Sequence, residues 1–200
     1  RVIPNRGSWL DFEYDVKDFL YFKIDRKKKI LASTLLLALG YSKADIANEF
    51  YENEKYTYDL KSEKWKTKFN PENYKTKNFS EEVIDAKTGK VVINLGDKIN
   101  YLTAKKLETD GLKDILVTKE SLYGKFLHKD VKVNDEENGT FKLGTEINET
   151  IIQQILQANI HSLQISTTNA INKGPYLLTT IFNDKNNTKD EAITEIYKML

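Results

Sequence analysis

An α+β chain is what this sequence predicts, on three observations. Aromatic and polar residues alternate in short runs bounded by turn residues, helix formers cluster in two stretches separated by Gly40, and strand and helix patterns recur together in an internal repeat. The expected architecture has a terminal part of hairpin and short helices, built from residues 1–50 and 173–200. Between them an inserted domain, residues 51–172, holds two related β-β-α-β units at about 79–117 and 127–165.

Taking the elements in order, Trp9, Phe12, Tyr14, Phe19, Tyr21 and Ile24 alternate with polar residues and break at Asp15 and Asp18, the pattern of a β-hairpin with one buried face. Thr34 to Leu39 is rich in helix formers and stops at Gly40, which closes helices by adopting a left-handed conformation. Ser42 followed three residues later by Asp45 then predicts the capped start of a second helix through Ile46, Ala47 and Phe50. After Tyr51 lysine and glutamate become dense. Tyr56, Tyr58 and Leu60, then Trp65, Thr67 and Phe69, alternate about a Lys61–Lys64 turn and read as a second hairpin. Glu52, Glu54 and Glu63 are mixed among its lysines, so its outer surface reads as a solvated face.

The repeat shows when Leu95-Gly96-Asp97-Lys98-Ile99 is set over Leu143-Gly144-Thr145-Glu146-Ile147, an offset of 48 positions. The offset matches Phe79 with Leu127, Val83 with Val131, Leu107 with Ile155, Leu112 with Ile160, Ile115 with Leu163, and Val117 with Ile165, all apolar. Each unit reads as strand, glycine-containing turn, strand, helix and strand, with Thr103 and Asn148 as helix N-caps and Gly111 and Asn159 at the C-terminal ends. The two turns differ in length, which predicts an interruption of register there. Two copies are too few for a solenoid, so a paired domain that presents surface is expected. Beyond it, Lys173-Gly174-Pro175-Tyr176 signals a turn before Leu177 to Phe182. A last helix begins near Thr188, with Ala192, Ile193, Ile196, Tyr197 and Leu200 on one face that must pack, most naturally on the first block.

Composition excludes several functions. Lysine and arginine number 31 against 30 acids, so any attraction to nucleic acid must be local. Without cysteine there is no disulfide, thiolate metal site or thiol nucleophile, which fits a cytoplasmic protein. No apolar run has the roughly 18 residues of a membrane span. The start Arg1-Val2-Ile3-Pro4 has neither an initiator Met nor a signal-peptide pattern, so the chain reads as cut from something longer. His128 and His161 lack metal-ligand spacing, and Glu81-Glu82 and Glu136-Glu137 fall at exposed edges or turns. There is no phosphate-binding glycine loop and no nucleophile elbow, so no catalytic or metal-binding residue is assigned.

Two motifs carry a family resemblance. Ile3-Pro4-Asn5-Arg6-Gly7-Ser8-Trp9-Leu10-Asp11-Phe12-Glu13-Tyr14-Asp15 and Ile24-Asp25-Arg26-Lys27-Lys28-Lys29-Ile30 closely resemble the β subunit of bacterial DNA-directed RNA polymerase. At the far end, Gly174-Pro175-Tyr176 and Glu191 to Leu200 look like the stretch just before that family's Arg-Pro-Gly-Glu-Pro-Pro segment. Asp85 to Gly96 and Leu122 to Asp130 are similar to an insertion carried by proteobacterial β subunits, with an alphaproteobacterial cast. The match is strong over about 1–50 and 174–200, and by pattern between them.

The resemblance implies that residues 1–50 and 173–200 form part of the lobe, one wall of the downstream DNA channel, with the insertion outside it. The parent enzyme is then a nucleotidyltransferase whose catalytic magnesium is held by an aspartate triad of the β′ subunit, so this chain carries no cofactor. Implied partners are the β′, α and ω subunits, σ factor, DNA through the lobe, and regulators through the insertion, with no membrane. Trp9, at this motif position, is implied to stack on an unpaired non-template base of the melted promoter; on residues alone, a Trp in an amphipathic strand also reads as core. Asp25 and Arg26 form a pair in which the carboxylate limits the swing of a guanidinium aimed at a base edge or phosphate, and Lys27, Lys28 and Lys29 add local positive charge. The family has more arginine here, and lysine lacks the bidentate fork, so phosphate attraction is expected rather than base reading. The same run also reads as a solvated hairpin end. A second reading of the whole chain is a protein-interaction module for σ factors or regulators with no direct DNA role.

Overall fold

The computed structural model describes residues 1–74, 77–78, 82–94, 96–134, 139–168 and 173–199. The predicted first hairpin pairs β1 (Leu10–Tyr14) antiparallel with β2 (Leu20–Ile24), placing Phe12 opposite Phe22, and a short β3 (Ile30–Leu31) adds to β2. Asp15 closes the first turn by accepting the backbone N–H groups of Lys17 at 2.9 Å and Phe19 at 3.0 Å. Helix α1 (Ala32–Ala38) follows directly and ends at Gly40, whose φ of +103° is left-handed as expected. Helix α2 (Lys43–Phe50) opens on the predicted capping box: Ser42 Oγ accepts from the Asp45 N–H while Asp45 accepts from the Ser42 N–H.

The second hairpin is β4 (Asn53–Asp59) with β5 (Lys64–Lys68). The rest of the middle region runs β6 (Lys77–Asn78), β7 (Val83–Asp85), β8 (Val91–Ile93), β9 (Lys98–Ile99), α3 (Tyr101–Thr109) and β10 (Asp114–Val117). It continues with β11 (Phe126–Leu127), β12 (Val131–Lys132), β13 (Thr140–Phe141), α4 (Glu149–Gln157) and β14 (Ser162–Ser166). The architecture is therefore mixed α+β with antiparallel pairing, as the sequence predicts.

The 48-residue offset reappears in the backbone. Asn78 pairs with Lys98 and Phe126 with Glu146; Val83 pairs with Ile93 and Val131 with Phe141; Gly96 and Gly144 both have positive φ. Each helix is capped by an asparagine, Asn100 or Asn148, that accepts the N–H three residues on. Thr103, read from sequence as the N-cap, is instead the residue whose N–H is capped, because Asn100 is the one in extended backbone just before the first turn, where its Oδ1 reaches forward to the N–H three residues on. Both helices close alike. The Leu112 N–H returns to Leu107 O and the Ile160 N–H to Ile155 O, with Gly111 and Asn159 left-handed between them. The expected loss of register is local. Ile84 pairs with Val91 but Lys132 with Thr140, and an irregularity between Val83 and Ile84 absorbs the one-residue difference. Of the positions matched on sequence, Phe79 and Leu95 lie outside the described residues, as do Glu81, Glu136 and Glu137.

A seven-stranded sheet joins the two units in the order β11-β14-β4-β5-β10-β7-β8. The central hairpin β4-β5 is flanked by the equivalent strands β14 and β10. Helix α4 covers one half through Ile152 and Ile155, packed with Tyr56, Trp65, Leu163 and Ile165. Helix α3 covers the other half of the same face through Ala104, with Val83, Ile93 and Ile115. Trp65 is fully buried and its indole N–H has no partner among the described residues, so its value is volume rather than a hydrogen bond. Trp65→Phe empties part of that volume and is accordingly expected to cost about 1–2 kcal/mol, against roughly 3–5 kcal/mol typical of truncating a buried Trp to Ala. Equilibrium urea unfolding checks it, and a loss above about 3 kcal/mol for Phe would contradict it.

A third core ties the chain ends together. Helix α5 (Tyr176–Asn183) buries Leu177, Leu178 and Ile181 against Leu37, Ile46 and Ala47 of α1 and α2, with Phe126 and Leu143 of the second unit in the same cluster. Helix α6 (Lys189–Met199) packs on α1 as expected, but through buried Ala192. The predicted stripe is only partly used: Ile193 keeps 44% and Tyr197 80% of its surface exposed, and Leu200 lies outside the described residues. A small residue at the crossing brings the helices close while the larger residues diverge from the contact line.

Candidate nucleic-acid interface

The motif residues meet at one end of the first sheet. Between β2 and β3 the chain turns at Asp25 and Arg26, with φ of +48° and +59°, and the Lys27 N–H donates to Ile24 O at 3.0 Å. Two left-handed central residues mark the hairpin turn whose twist matches its strands, and aspartate tolerates that conformation better than most residues. The turn holds Trp9 from both sides. The Trp9 N–H donates to Asp25 Oδ1 at 2.8 Å, and the Asp25 N–H donates to Trp9 O at 3.0 Å. The Ser8 hydroxyl first, and the Trp9 N–H second, hold the Asp25 carboxyl below the usual carboxylate range, with Lys27 adding to the same direction. The carboxylate is thus engaged by the Ser8 hydroxyl and the Trp9 N–H.

Trp9 itself lies just before β1 rather than within it, and 40% of it is exposed. The Arg1 guanidinium stands 5.4 Å from the ring centroid and is anchored by Asp11, an arrangement in which a cation faces the electron-rich ring. Arg1 and Ser8 were not singled out from sequence, since neither belongs to a periodic pattern. Arg26, Lys27, Lys28 and Lys29 are exposed. Lys29 Nζ sits 4.3 Å from the Tyr21 ring, and Lys23 pairs with Glu13 at 2.8 Å, so part of the positive charge is already engaged on the sheet. A shallow depression beside the turn is lined by Arg1, Asp11, Phe12, Glu13, Lys23 and Arg26. Together these residues offer an aromatic surface next to cations, with an acidic rim at Asp11 and Glu13.

His128 stands apart and is structural. Its Nε2 donates to Asn48 Oδ1 at 2.9 Å and its Nδ1 accepts from the Ser166 hydroxyl at 2.8 Å, joining α2 to β14. Burial, and next the charge of Lys129, push its pKa below the ordinary histidine value. The unfolded chain regains an ordinary value near ~6.5, so it binds the proton first as pH falls. Stability from the neutral ring is complete above that value and is lost as pH drops through the lower folded one. Thermal melts between pH 8 and 5 are expected to fall more steeply for the native chain than for His128→Gln; equal slopes would contradict this. Among the described residues no cluster of His, Asp or Glu is arranged to hold a metal ion, and no helix is long and apolar enough to cross a membrane.

No family model matches the chain. Curated relatives do. It is 45% identical over 205 residues to the DNA-directed RNA polymerase subunit beta of Orientia tsutsugamushi, and 38% identical over 200 residues to those of Rickettsia prowazekii and Rickettsia felis. Each alignment takes in the whole chain, middle region included, and the chain spans 14% of the length of the curated relatives it matches. Alignments at this identity over the full length join the motif-bearing ends to the repeat-bearing middle as one inherited stretch, and the chain belongs to the β-subunit family of bacterial DNA-directed RNA polymerases, as a segment of it.

Proposed function

We propose that this segment serves DNA-templated transcription as part of the lobe lining the downstream DNA channel, with Trp9 stacking on an unpaired base of the melted non-template strand. The observation that carries the reading is the clamped presentation of Trp9: a half-exposed ring whose backbone is pinned by Asp25 on a hairpin turn. Stacking on a base contributes roughly 1–3 kcal/mol and works best on a ring that is already positioned. Arg26, Lys27, Lys28 and Lys29 attract phosphate, and Asp25 acts by holding Trp9. Residues 51–172 form a docking surface for σ factor or regulators. The chemistry of nucleotide addition belongs to magnesium held by the β′ subunit, with β′, α and ω as further partners.

A second reading, an interaction module with no direct DNA role, draws support from the near balance of 31 basic and 30 acidic residues. The two separate in RNA polymerase carrying variants of this segment: Trp9→Ala is expected to shorten open-complex lifetime under the first, whereas under the second it leaves promoter melting untouched and deleting residues 55–169 changes only regulator response.

A further inference from the structure

Among the described residues, the face of the seven-stranded sheet opposite α3 and α4 is covered only at its β11-β14 end, where Phe126 joins the core of α1, α2 and α5 and Ser166 bonds His128. Tyr56, Trp65, Ile115 and Leu163 point into the cores under α3 and α4, so their strand neighbours point the other way. On that open face the register lines up Val91, Ile84, Leu116, Lys66, Thr57 and Ser162 across β8, β7, β10, β5, β4 and β14. The row is divided in character. Val91 is 44% exposed, Ile84 and Leu116 are half-buried, and none of the three belongs to a core cluster. The other half is basic: along β5 Lys66 stands between Lys64 and exposed Lys68, with exposed Lys55 beside them on β4. The acids on this face are spoken for, since Asp114 pairs with Lys66 at 3.1 Å and Asp59 accepts the Ser62 hydroxyl and the Lys61 N–H in the β4-β5 turn.

We propose that this open face docks an acidic amphipathic helix of a partner protein, its apolar side on Val91, Ile84 and Leu116 and its carboxylates toward Lys66, Lys68 and Lys55. An aliphatic strip beside lysines matches a ligand that is apolar along one edge and anionic along the other. Nucleic acid fits less well, because the strip holds no aromatic ring for a base and half of it offers nothing to a phosphate. Lys64, Lys66 and Lys68 run along β5, so the helix lies along the strands, its apolar edge over β8, β7 and β10 and its acidic edge over β5. The proposal rests on the reading of residues 51–172 as a docking module and names its surface and the chemistry of its partner.

The test uses RNA polymerase assembled with the full-length subunit. A labelled helix-forming peptide of about 16 residues, with leucines on one face and glutamates flanking them, is titrated by fluorescence anisotropy. The same peptide with lysines for glutamates, and an oligothymidylate, are run beside it. The acidic peptide is expected to bind, and Leu116→Ser and the joint Lys66→Glu, Lys68→Glu change each to weaken it tenfold or more. The charge variant touches only exposed side chains and so guards against misfolding of the first. Absence of peptide binding, equal binding to native and variant enzymes, or equal use of the face by the lysine peptide or the oligonucleotide would overturn the proposal. Deleting residues 55–169 separates the two levels. If deletion changes regulator response while the face variants do not, the module reading stands and this face is wrong; if deletion changes nothing, the module reading itself fails.

Discussion

Asp184→Ala is expected to destabilise the chain by about 3 kcal/mol, lowering its melting temperature by roughly 6–12 °C. Asp184 is buried at the start of the loop between α5 and α6, where one carboxylate oxygen accepts the hydroxyls of Ser33 and Thr34 on α1 and the other accepts the Asn186 N–H. Its main-chain carbonyl accepts from Lys43 Nζ at 2.7 Å, which ties in α2 as well. Truncation strands two hydroxyls that are themselves buried, and a buried donor without a partner costs more than the bond it made. Asp184→Asn keeps an acceptor and is expected to lose about half as much. Melts of the three proteins at neutral pH decide it, and an Ala variant within about 1 kcal/mol of native would contradict the account.

Gly144→Ala is expected to cost about 2–4 kcal/mol, from two sources. The residue has a φ of +83°, which side chains rarely adopt, and an added Cβ would lie 2.5 Å from Leu178 O and 3.1 Å from the Phe182 Cβ on α5. The glycine is what lets the second repeat unit sit directly on that helix. Gly96, its equivalent in the first unit, has nearly the same φ of +85° but no described atom within 4 Å of an added Cβ. Gly96→Ala therefore isolates the conformational part, expected at about 1 kcal/mol. Equal losses for the two variants would mean that close packing on α5 contributes nothing.

These two sites also show where sequence reasoning reaches. The capping box at Ser42 and Asp45, the hairpins and the 48-residue offset were legible because each is written in local spacing that the backbone must obey. Sequence places the N-cap of α3 at Thr103, three residues late, because Asn100 and Thr103 are both polar and close to the first turn, and only geometry tells the cap from the capped. The stripe on α6 promised more burial than it received, since periodicity reports which residues share a face but not how far a neighbour extends along it. Within the candidate interface, Trp9, Asp25 and Arg26 were found through a family motif. The long-range bonds that give Asp25 its part, to Trp9 sixteen positions away, leave no periodic trace. The same holds for Asp184, bonded across 150 residues to Thr34.

The presentation of Trp9 to single-stranded DNA is tested most directly by the lifetime of promoter open complexes formed by RNA polymerase carrying Trp9→Ala. Removing a stack of roughly 1–3 kcal/mol is expected to shorten that lifetime by about 5- to 150-fold, with Trp9→Phe retaining most of it because a smaller ring still offers a π-face. An alanine enzyme whose open complexes last as long as those of the native enzyme would contradict the account, and would leave Asp25 holding a ring that touches no base.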